Sequence, residues 1–125
     1  MNELPAGLRI GFIGAGRLGK ALAWSLSAAG LRITHVTSAG GQQAAVLAAR
    51  IPRCEPVADP QGVVDGCDLV FIVTPDGAIE AAVAGLRWRA GMGVVHCSGV
   101  TEVDALRAAA DQGAWIGGFQ VSLRS

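Results

Sequence analysis

The chain lacks tyrosine altogether, and Lys20 is the single lysine among its 125 residues. Reductases of the short-chain type work through a Tyr-x-x-x-Lys motif, so the missing tyrosine excludes that class. Aromatic residues make up only 5% of the chain. We interpret the tryptophans as packing or interface residues rather than as a stacking platform, namely Trp24, Trp88 and Trp115.

An excess of charge of one sign is also missing, because ten basic and ten acidic side chains cancel. The arginines are spread from Arg9 to Arg124, so nothing suggests a nucleic-acid or acidic-membrane partner. No segment reaches the roughly 20 apolar residues that span a bilayer. The segment Met1–Gly7 has neither the positive start nor the apolar run of a signal peptide. We expect a soluble, cytoplasmic protein.

The three cysteines, Cys54, Cys67 and Cys97, form no C-x-x-C motif and cannot all pair. That pattern is more typical of a reducing cytosol than of a secreted disulfide scaffold. No His, Cys or Asp cluster has the spacing of metal ligands, so we expect no metal site. With 125 residues, 51% of them hydrophobic, the chain predicts one domain over residues 1–125 with a well-buried core.

Strand and helix patterns alternate along the chain. Apolar, β-branched runs predict strands, at Leu8–Ile13, Leu31–Thr37, Cys54–Val57, Asp68–Val73, Gly93–Cys97 and Ala114–Gly117. The segments between them predict helices, at Arg17–Ala29, Gln42–Ile51, Asp59–Gly66, Ile79–Leu86 and Glu102–Asp111. Repeated β-α-β units with right-handed crossovers predict an α/β fold, a doubly wound parallel sheet in the strand order 3-2-1-4-5-6.

A G-x-G-x-x-G motif, Gly14-Ala15-Gly16-Arg17-Leu18-Gly19, lies between the first strand and the first helix. Gly14 allows the tight turn, Gly16 lets backbone amides approach a pyrophosphate, and Gly19 lets the helix pack on the strand. The helix start adds free N–H groups and a positive dipole end. The motif predicts that these six residues bind a dinucleotide, with a purely structural turn as the alternative.

The loop after the second strand indicates which dinucleotide is bound. An NAD or FAD site usually places Asp or Glu there to hold the ribose 2′-hydroxyl, but this chain has Thr37-Ser38-Ala39-Gly40-Gly41. Without a carboxylate a 2′-phosphate is not repelled, and the hydroxyls of Thr37 and Ser38 can bond it, with added charge from Arg17. We therefore predict NADP first and NAD second; the alternative is that both hydroxyls only cap a turn.

The loops after the fourth and fifth strands should lie at the same edge of the sheet. We expect Val73, Thr74 and Pro75 under the nicotinamide end of a bound cofactor. Asp76 is interpreted as the N-cap of the next helix, with a catalytic role as the alternative. Ser98 is the candidate catalytic residue. Its hydroxyl would bond a substrate carbonyl or carboxylate or, equally well, cap the following turn.

Two further side chains near Ser98 are interpreted as structural. His96 is expected to point into the packing of the sheet. Cys97 carries no sequence signal of a lowered pKa, so it is interpreted as a small buried hydrophobic residue.

Three segments, in order along the chain, carry a resemblance to a known family: Arg9–Gly19, Val73–Ile79 and Val94–Gly99. Over nearly its whole length the chain resembles the 6-phosphogluconate-dehydrogenase-like superfamily, and within it the Rossmann-like oxidoreductases near pyrroline-5-carboxylate reductase and prephenate dehydrogenase. The resemblance implies an NADP-binding domain, followed by a helical domain that completes the substrate site and usually mediates dimerisation. This chain stops where that second domain should begin. We expect a homo-oligomer, because the sheet face that normally meets that domain would expose apolar surface.

Two positions depart from the family pattern. Gln120 stands where relatives carry the histidine of a His-Pro pair, and Ser38-Ala39 stand where many carry an arginine. Glutamine cannot act as an acid or base near neutral pH. Both departures weaken the case for turnover more than the case for binding.

The leading hypothesis is an NADP-linked oxidoreductase domain. Hydride would pass between the nicotinamide and a small carbonyl, imine or alcohol substrate near Thr74 and Ser98. The alternatives are a non-catalytic NAD(P)-binding sensor or regulatory module, or a fragment of a larger dehydrogenase. The substrate itself cannot be identified from the sequence.

Overall fold

The computed structural model describes residues 7–74, 76–97 and 103–118. Within these ranges the strands are β1 (Arg9–Ile13), β2 (Arg32–Thr37), β3 (Glu55–Pro56), β4 (Leu69–Ile72), β5 (Gly93–His96) and β6 (Trp115–Gly118). All neighbouring pairs are parallel, in the order β3-β2-β1-β4-β5-β6. The predicted doubly wound parallel sheet and its strand order are therefore confirmed.

Helices join successive strands, as α1 (Arg17–Ala28), α2 (Gln42–Ala49), α3 (Pro60–Gly66), α4 (Ile79–Ala84) and α5 (Arg107–Ala110). None of the helices described is both long and apolar enough to cross a membrane. The helix α1 ends in a Schellman motif. Gly30 has φ +96°, the Leu31 N–H donates to the Leu26 carbonyl, and the Gly30 N–H donates to that of Ser27.

Two sequence predictions about helices are wrong. Asp76 is not the N-cap of α4, because a 3-10 turn covers Asp76–Ala78 and Ala78 occupies the cap position. Of the predicted helix Glu102–Asp111, Glu102 lies outside the described residues, Val103–Leu106 form a 3-10 turn, and only Arg107–Ala110 are α-helical. Apolar spacing alone distinguishes poorly between one or two turns of 3-10 and of α-helix.

Side chains of β1 alternate between two hydrophobic clusters, one on each face of the sheet. Ile10 and Phe12 belong to the cluster that α1 and α2 cover, and the Phe12 ring stacks on Phe71 with centroids 5.0 Å apart. Gly11 faces the other cluster. A Cβ there would lie 2.4 Å from Cγ1 of Val63, so α3 packs directly on the backbone of β1.

An ion pair ties the start of β1 to the residue before β4. The Arg9 guanidinium donates to both carboxylate oxygens of Asp68, at 2.9 and 3.2 Å, and the Arg9 backbone N–H donates to the same carboxylate at 3.0 Å. These bonds from Arg9 lower the pKa of Asp68 below its ordinary value. Both side chains are partly exposed, so water screens the pair and its contribution to stability is small.

We predict that the Asp68→Asn variant is less stable than the wild type at pH 7 and that this difference becomes smaller in acid. A lowered folded-state pKa stabilises the fold above the ordinary value of 3.8, and this contribution is lost as the pH falls through the folded-state pKa. Urea unfolding between pH 7 and pH 3 measures the difference. Glu80→Gln, on the exposed side of α4, is the matched control. A stability difference that stays constant over this range would contradict the assignment.

Candidate functional site

The loops after β1, β2 and β4 meet around a cavity of about 490 Å³ at the carboxyl edge of the sheet. Its lining consists of Gly14, Ala15, Gly16, Arg17, Leu18, Gly19, Ser38, Ala39, Gln43, Val73 and Thr74. The structure therefore brings together all six residues of the glycine motif with predicted residues from two other loops.

Gly14 forms the turn that leaves β1. Its φ of +103° lies in the region that favours glycine, and a Cβ there would lie 2.8 Å from the carbonyl carbon and oxygen of Val73. The Gly14 N–H donates to the Thr37 carbonyl at 2.8 Å. Glycine is required here both by the backbone conformation and by the close approach to the end of β4.

Gly16 and Gly19 differ in what surrounds them. Gly16 is the N-cap of α1 in an extended conformation, and a Cβ there would have no atom within 4 Å. At Gly19 a Cβ would lie 3.1 Å from the Gly14 carbonyl oxygen and 3.4 Å from Cγ2 of Val73. Gly19 thus permits close packing, whereas Gly16 leaves open space in front of the helix start.

The N-terminus of α1 is electrostatically suited to an anion. Its N-cap residue, Gly16, has no side chain with which to cap it, and its first turn contains no acidic residue. The amides of a first helical turn have no partner inside the helix, and the positive end of the helix dipole lies at the same place. Because Gly16 and Arg17 both line the cavity, these groups border it.

Ser38 caps the next helix. Its Oγ accepts from the Ala44 backbone N–H at 2.9 Å, because the N-cap residue of α2, Gly41, has no side chain with which to do so. The sequence alternative that Ser38 caps a turn therefore has direct structural support. The hydroxyl hydrogen of Ser38 is not used in this bond and can still donate into the cavity.

Thr37 and Gln43 lie differently from what the sequence suggested. The Thr37 residue is only 3% exposed and is not among the residues lining the cavity; its carbonyl instead holds Gly14. Gln43 lines the cavity and was not predicted. Its position in the first turn of the helix that follows β2 was the available signal, since that turn lies at the same edge of the sheet.

Thr74 brings a polar atom to the far wall of the cavity. Its Oγ1 is buried and has no hydrogen-bond partner among the residues that the structure describes. Pro75 and the candidate catalytic residue Ser98 lie outside the described residues, as does Gln120. Their predicted roles stay predictions.

His96 and Cys97, at the end of β5, are buried, and partial or full burial also affects the other two cysteines. His96 is 2% exposed within the strand, as predicted. Burial raises the pKa of the Cys97 thiol to about 11, and that of Cys54 likewise to about 11. Burial also raises the pKa of Cys67. At neutral pH these thiols are protonated and poorly nucleophilic. In the ranges described, no three His, Cys, Asp or Glu side chains group as metal ligands.

We predict that alanine substitution distinguishes the two glycines at the ends of the turn. Gly14→Ala should lose about 2 kcal/mol or more of unfolding free energy, because a strained φ alone costs about 1–3 kcal/mol and the Val73 backbone must also move. Gly16→Ala should lose less than about 1 kcal/mol, the difference between two residues without a capping side chain. Urea denaturation measures both, and equal losses would contradict this account of the turn.

A family model for the Rossmann-like domain matches residues 2–116. No curated protein sequence matches the chain significantly. Among solved structures, a proposed NADP oxidoreductase from Bacteroides fragilis aligns with TM-score 0.78 and 24% identity over 95% of this chain and 45% of its own.

Two other solved structures share the fold. A 3-hydroxyisobutyrate dehydrogenase from Mycobacterium tuberculosis aligns with TM-score 0.78 and 19% identity, over 93% of this chain and 41% of its own. A reductive aminase from Aspergillus terreus, in complex with NADPH4, aligns with TM-score 0.73 and 18% identity, over 87% and 39%. The chain thus spans less than half the length of each of these three proteins. By the match to its family model, the chain belongs to the Rossmann-like domain family.

Proposed function

We propose that the cavity binds the dinucleotide NADP and that the chain is the cofactor-binding domain of an oxidoreductase of the 6-phosphogluconate-dehydrogenase-like type. One observation carries the proposal: the N-terminus of α1, whose N-cap Gly16 has no side chain and has open space in front of it, borders the cavity. Backbone amides at a helix start, with no side chain in the way, are the arrangement that binds a pyrophosphate.

The remaining lining fits the same ligand. Ser38 retains a hydroxyl hydrogen that can donate to an oxygen on the ribose side. On the other wall, Thr74 Oγ1 lacks a partner among the described residues, and an unpaired buried hydroxyl costs about 1–3 kcal/mol. A polar group bound near Thr74 would remove that cost.

NADP is preferred to NAD because the described lining of the cavity carries a positive charge and no negative one. The described lining contains no carboxylate, and its one charged side chain is Arg17. A 2′-phosphate would meet a cation and a hydroxyl donor there, whereas the acidic residue that typically holds the 2′-hydroxyl of NAD is missing.

The proposed chemistry is hydride transfer to or from a small carbonyl, imine or alcohol substrate, which the nicotinamide supplies when bound. The residues of this chain would bind and orient: the helix start holds the phosphates, and Val73 and Thr74 form the wall toward the reacting end. Ser98 is proposed to bond the substrate oxygen. Dehydrogenase and reductive aminase neighbours with this fold support the reaction class.

A binding module without turnover is the second candidate. No residue of the described cavity lining can act as a general acid or base near neutral pH, since Arg17 is its only titratable side chain. An NADPH-oxidation assay against a panel of carbonyl and imine compounds separates the two candidates. Binding without any oxidation would favour the module.

Calorimetric titration of the intact chain tests the cofactor proposal. We expect NADPH to bind the wild type, and Gly16→Ala to weaken binding at least about tenfold, because the new methyl group takes the space through which the pyrophosphate approaches. Since that methyl group meets no protein atom within 4 Å beyond its neighbours in the chain, the loss would arise at the ligand. Gly62→Ala, where the Cβ makes only ordinary contacts of 3.6–3.9 Å with Val57, is the control. Failure of NADPH and NADH to bind the wild type would overturn the proposal.

Arg17→Ala tests cofactor selection. We expect it to weaken NADPH binding about tenfold, the typical worth of a charge-assisted hydrogen bond, and to leave NADH binding within about twofold. Lys20→Ala, one turn further along α1 and outside the lining of the cavity, is the matched control. Equal losses for both cofactors would assign Arg17 to the pyrophosphate instead of the 2′-phosphate.

A further inference from the structure

A second concave surface lies between α1 and α2, and we refer to it as the α1–α2 groove. Its volume is about 660 Å³. One wall is a single face of α1, made by Arg17, Lys20, Ala21 and Trp24. These residues have the i, i+3, i+4, i+7 spacing that places side chains in one stripe along a helix.

The opposite wall repeats that spacing along α2 and its C-cap residue, with Gln43, Val46, Leu47 and Arg50. Both helices connect parallel strands by crossovers on the same side of the sheet, so they run in the same direction. Two aligned helical stripes with a groove between them form a surface on which a third helix can pack its own i, i+3, i+4, i+7 residues.

Two apolar side chains of the groove are open to solvent. Trp24 is 55% exposed and Val46 is 51% exposed. The Arg50 guanidinium carbon lies 5.8 Å from the Trp24 ring centroid, within the range of a cation–π contact. Exposed apolar side chains that cluster in a concavity with a polar rim are typical of interaction sites.

The charges of the groove have one sign. Among the described residues, Arg17, Lys20 and Arg50 are the three charged side chains of its lining and no carboxylate belongs to it, although the whole chain carries ten acidic residues. The two ion pairs found in the described ranges belong to Arg9 and Arg107. The matching surface is therefore one that combines acidic and apolar side chains.

Groove-to-groove pairing of two copies of the chain does not match this surface. If the groove lay on the two-fold axis of a dimer it would contact itself, and its three cations would face three identical cations. A second copy would have to offer a different surface to the groove.

We propose that the α1–α2 groove docks an acidic amphipathic helix of a partner protein. Its apolar side chains would pack on Trp24 and Val46, and its carboxylates would face Lys20 and Arg50. The site does not depend on the proposed cofactor. It adjoins the cofactor cavity, however, because Arg17 and Gln43 line both concavities.

The test uses two fluorescent synthetic peptides and the intact chain. The acidic peptide is a helix of about four turns with leucines at i, i+3, i+4 and i+7 and glutamates elsewhere; the second peptide replaces each glutamate by lysine. Fluorescence anisotropy at low salt should show the acidic peptide binding at least about tenfold more tightly. This preference should shrink as salt screens the charges.

A charge-reversed variant, Lys20→Glu with Arg50→Glu, provides the decisive comparison. We expect it to lose at least about tenfold in affinity for the acidic peptide and to gain affinity for the basic one. Val46→Ser, at an exposed position, should weaken both interactions several-fold through the lost apolar contact. Circular dichroism and the thermal midpoint check that each variant is folded, and NADPH titration reports separately on the cofactor cavity.

Three outcomes would overturn the proposal. The first is equal binding of the two peptides by the wild type, and the second is unchanged binding of the acidic peptide by the charge-reversed variant. The third is a wild-type dimer that dissociates on charge reversal in analytical ultracentrifugation, which would assign the groove to a second copy of the chain.

Discussion

The carboxyl edge of the sheet depends on how closely the turn after β1 approaches the end of β4. No side chain fits between Gly14 and the Val73 carbonyl, so the two backbones touch directly. Two backbone hydrogen bonds hold the same place: Gly14 N–H to the Thr37 carbonyl and Val73 N–H to the Ile13 carbonyl, both 2.8 Å long. The ends of three adjacent strands are thereby fixed relative to one another, and the cavity is the space that they enclose.

Most of the fold follows from the sequence for a simple physical reason. Parallel strands covered on both faces must be continuously apolar, and β4 (Leu69–Ile72) is buried at every position. The wrong predictions concern short segments whose conformation depends on local hydrogen bonding. Neither the 3-10 turn over Asp76–Ala78 nor the one over Val103–Leu106 could be separated from an α-helical turn by spacing alone.

The positions of the site residues were predictable where backbone geometry determines them. They were less predictable where the function depends on whether a side chain points into the core or into the cavity. The three motif glycines lie as their spacing indicated. Thr37 and Ser38 are neighbours in sequence, yet Thr37 is buried in the strand while Ser38 reaches the cavity and caps α2. Strand alternation predicts that adjacent residues point to opposite faces. Alternation does not show whether Thr37 or Ser38 is the first residue of the loop, because that requires knowing where the strand ends.

The central position of β1 also has a consequence for the order of assembly. Its partner β2 follows after one helix, but β4 arrives much later, since the paired Arg9 and Asp68 lie 59 residues apart. Closing that longer loop costs more chain entropy, and distant pairings of this kind slow folding. The wall made by Val73 and Thr74 is thus expected to join the glycine turn late. A ligand bound between the glycine turn and the Val73–Thr74 wall would therefore bind only weakly to the folding transition state. It would stabilise the protein mainly by slowing its unfolding.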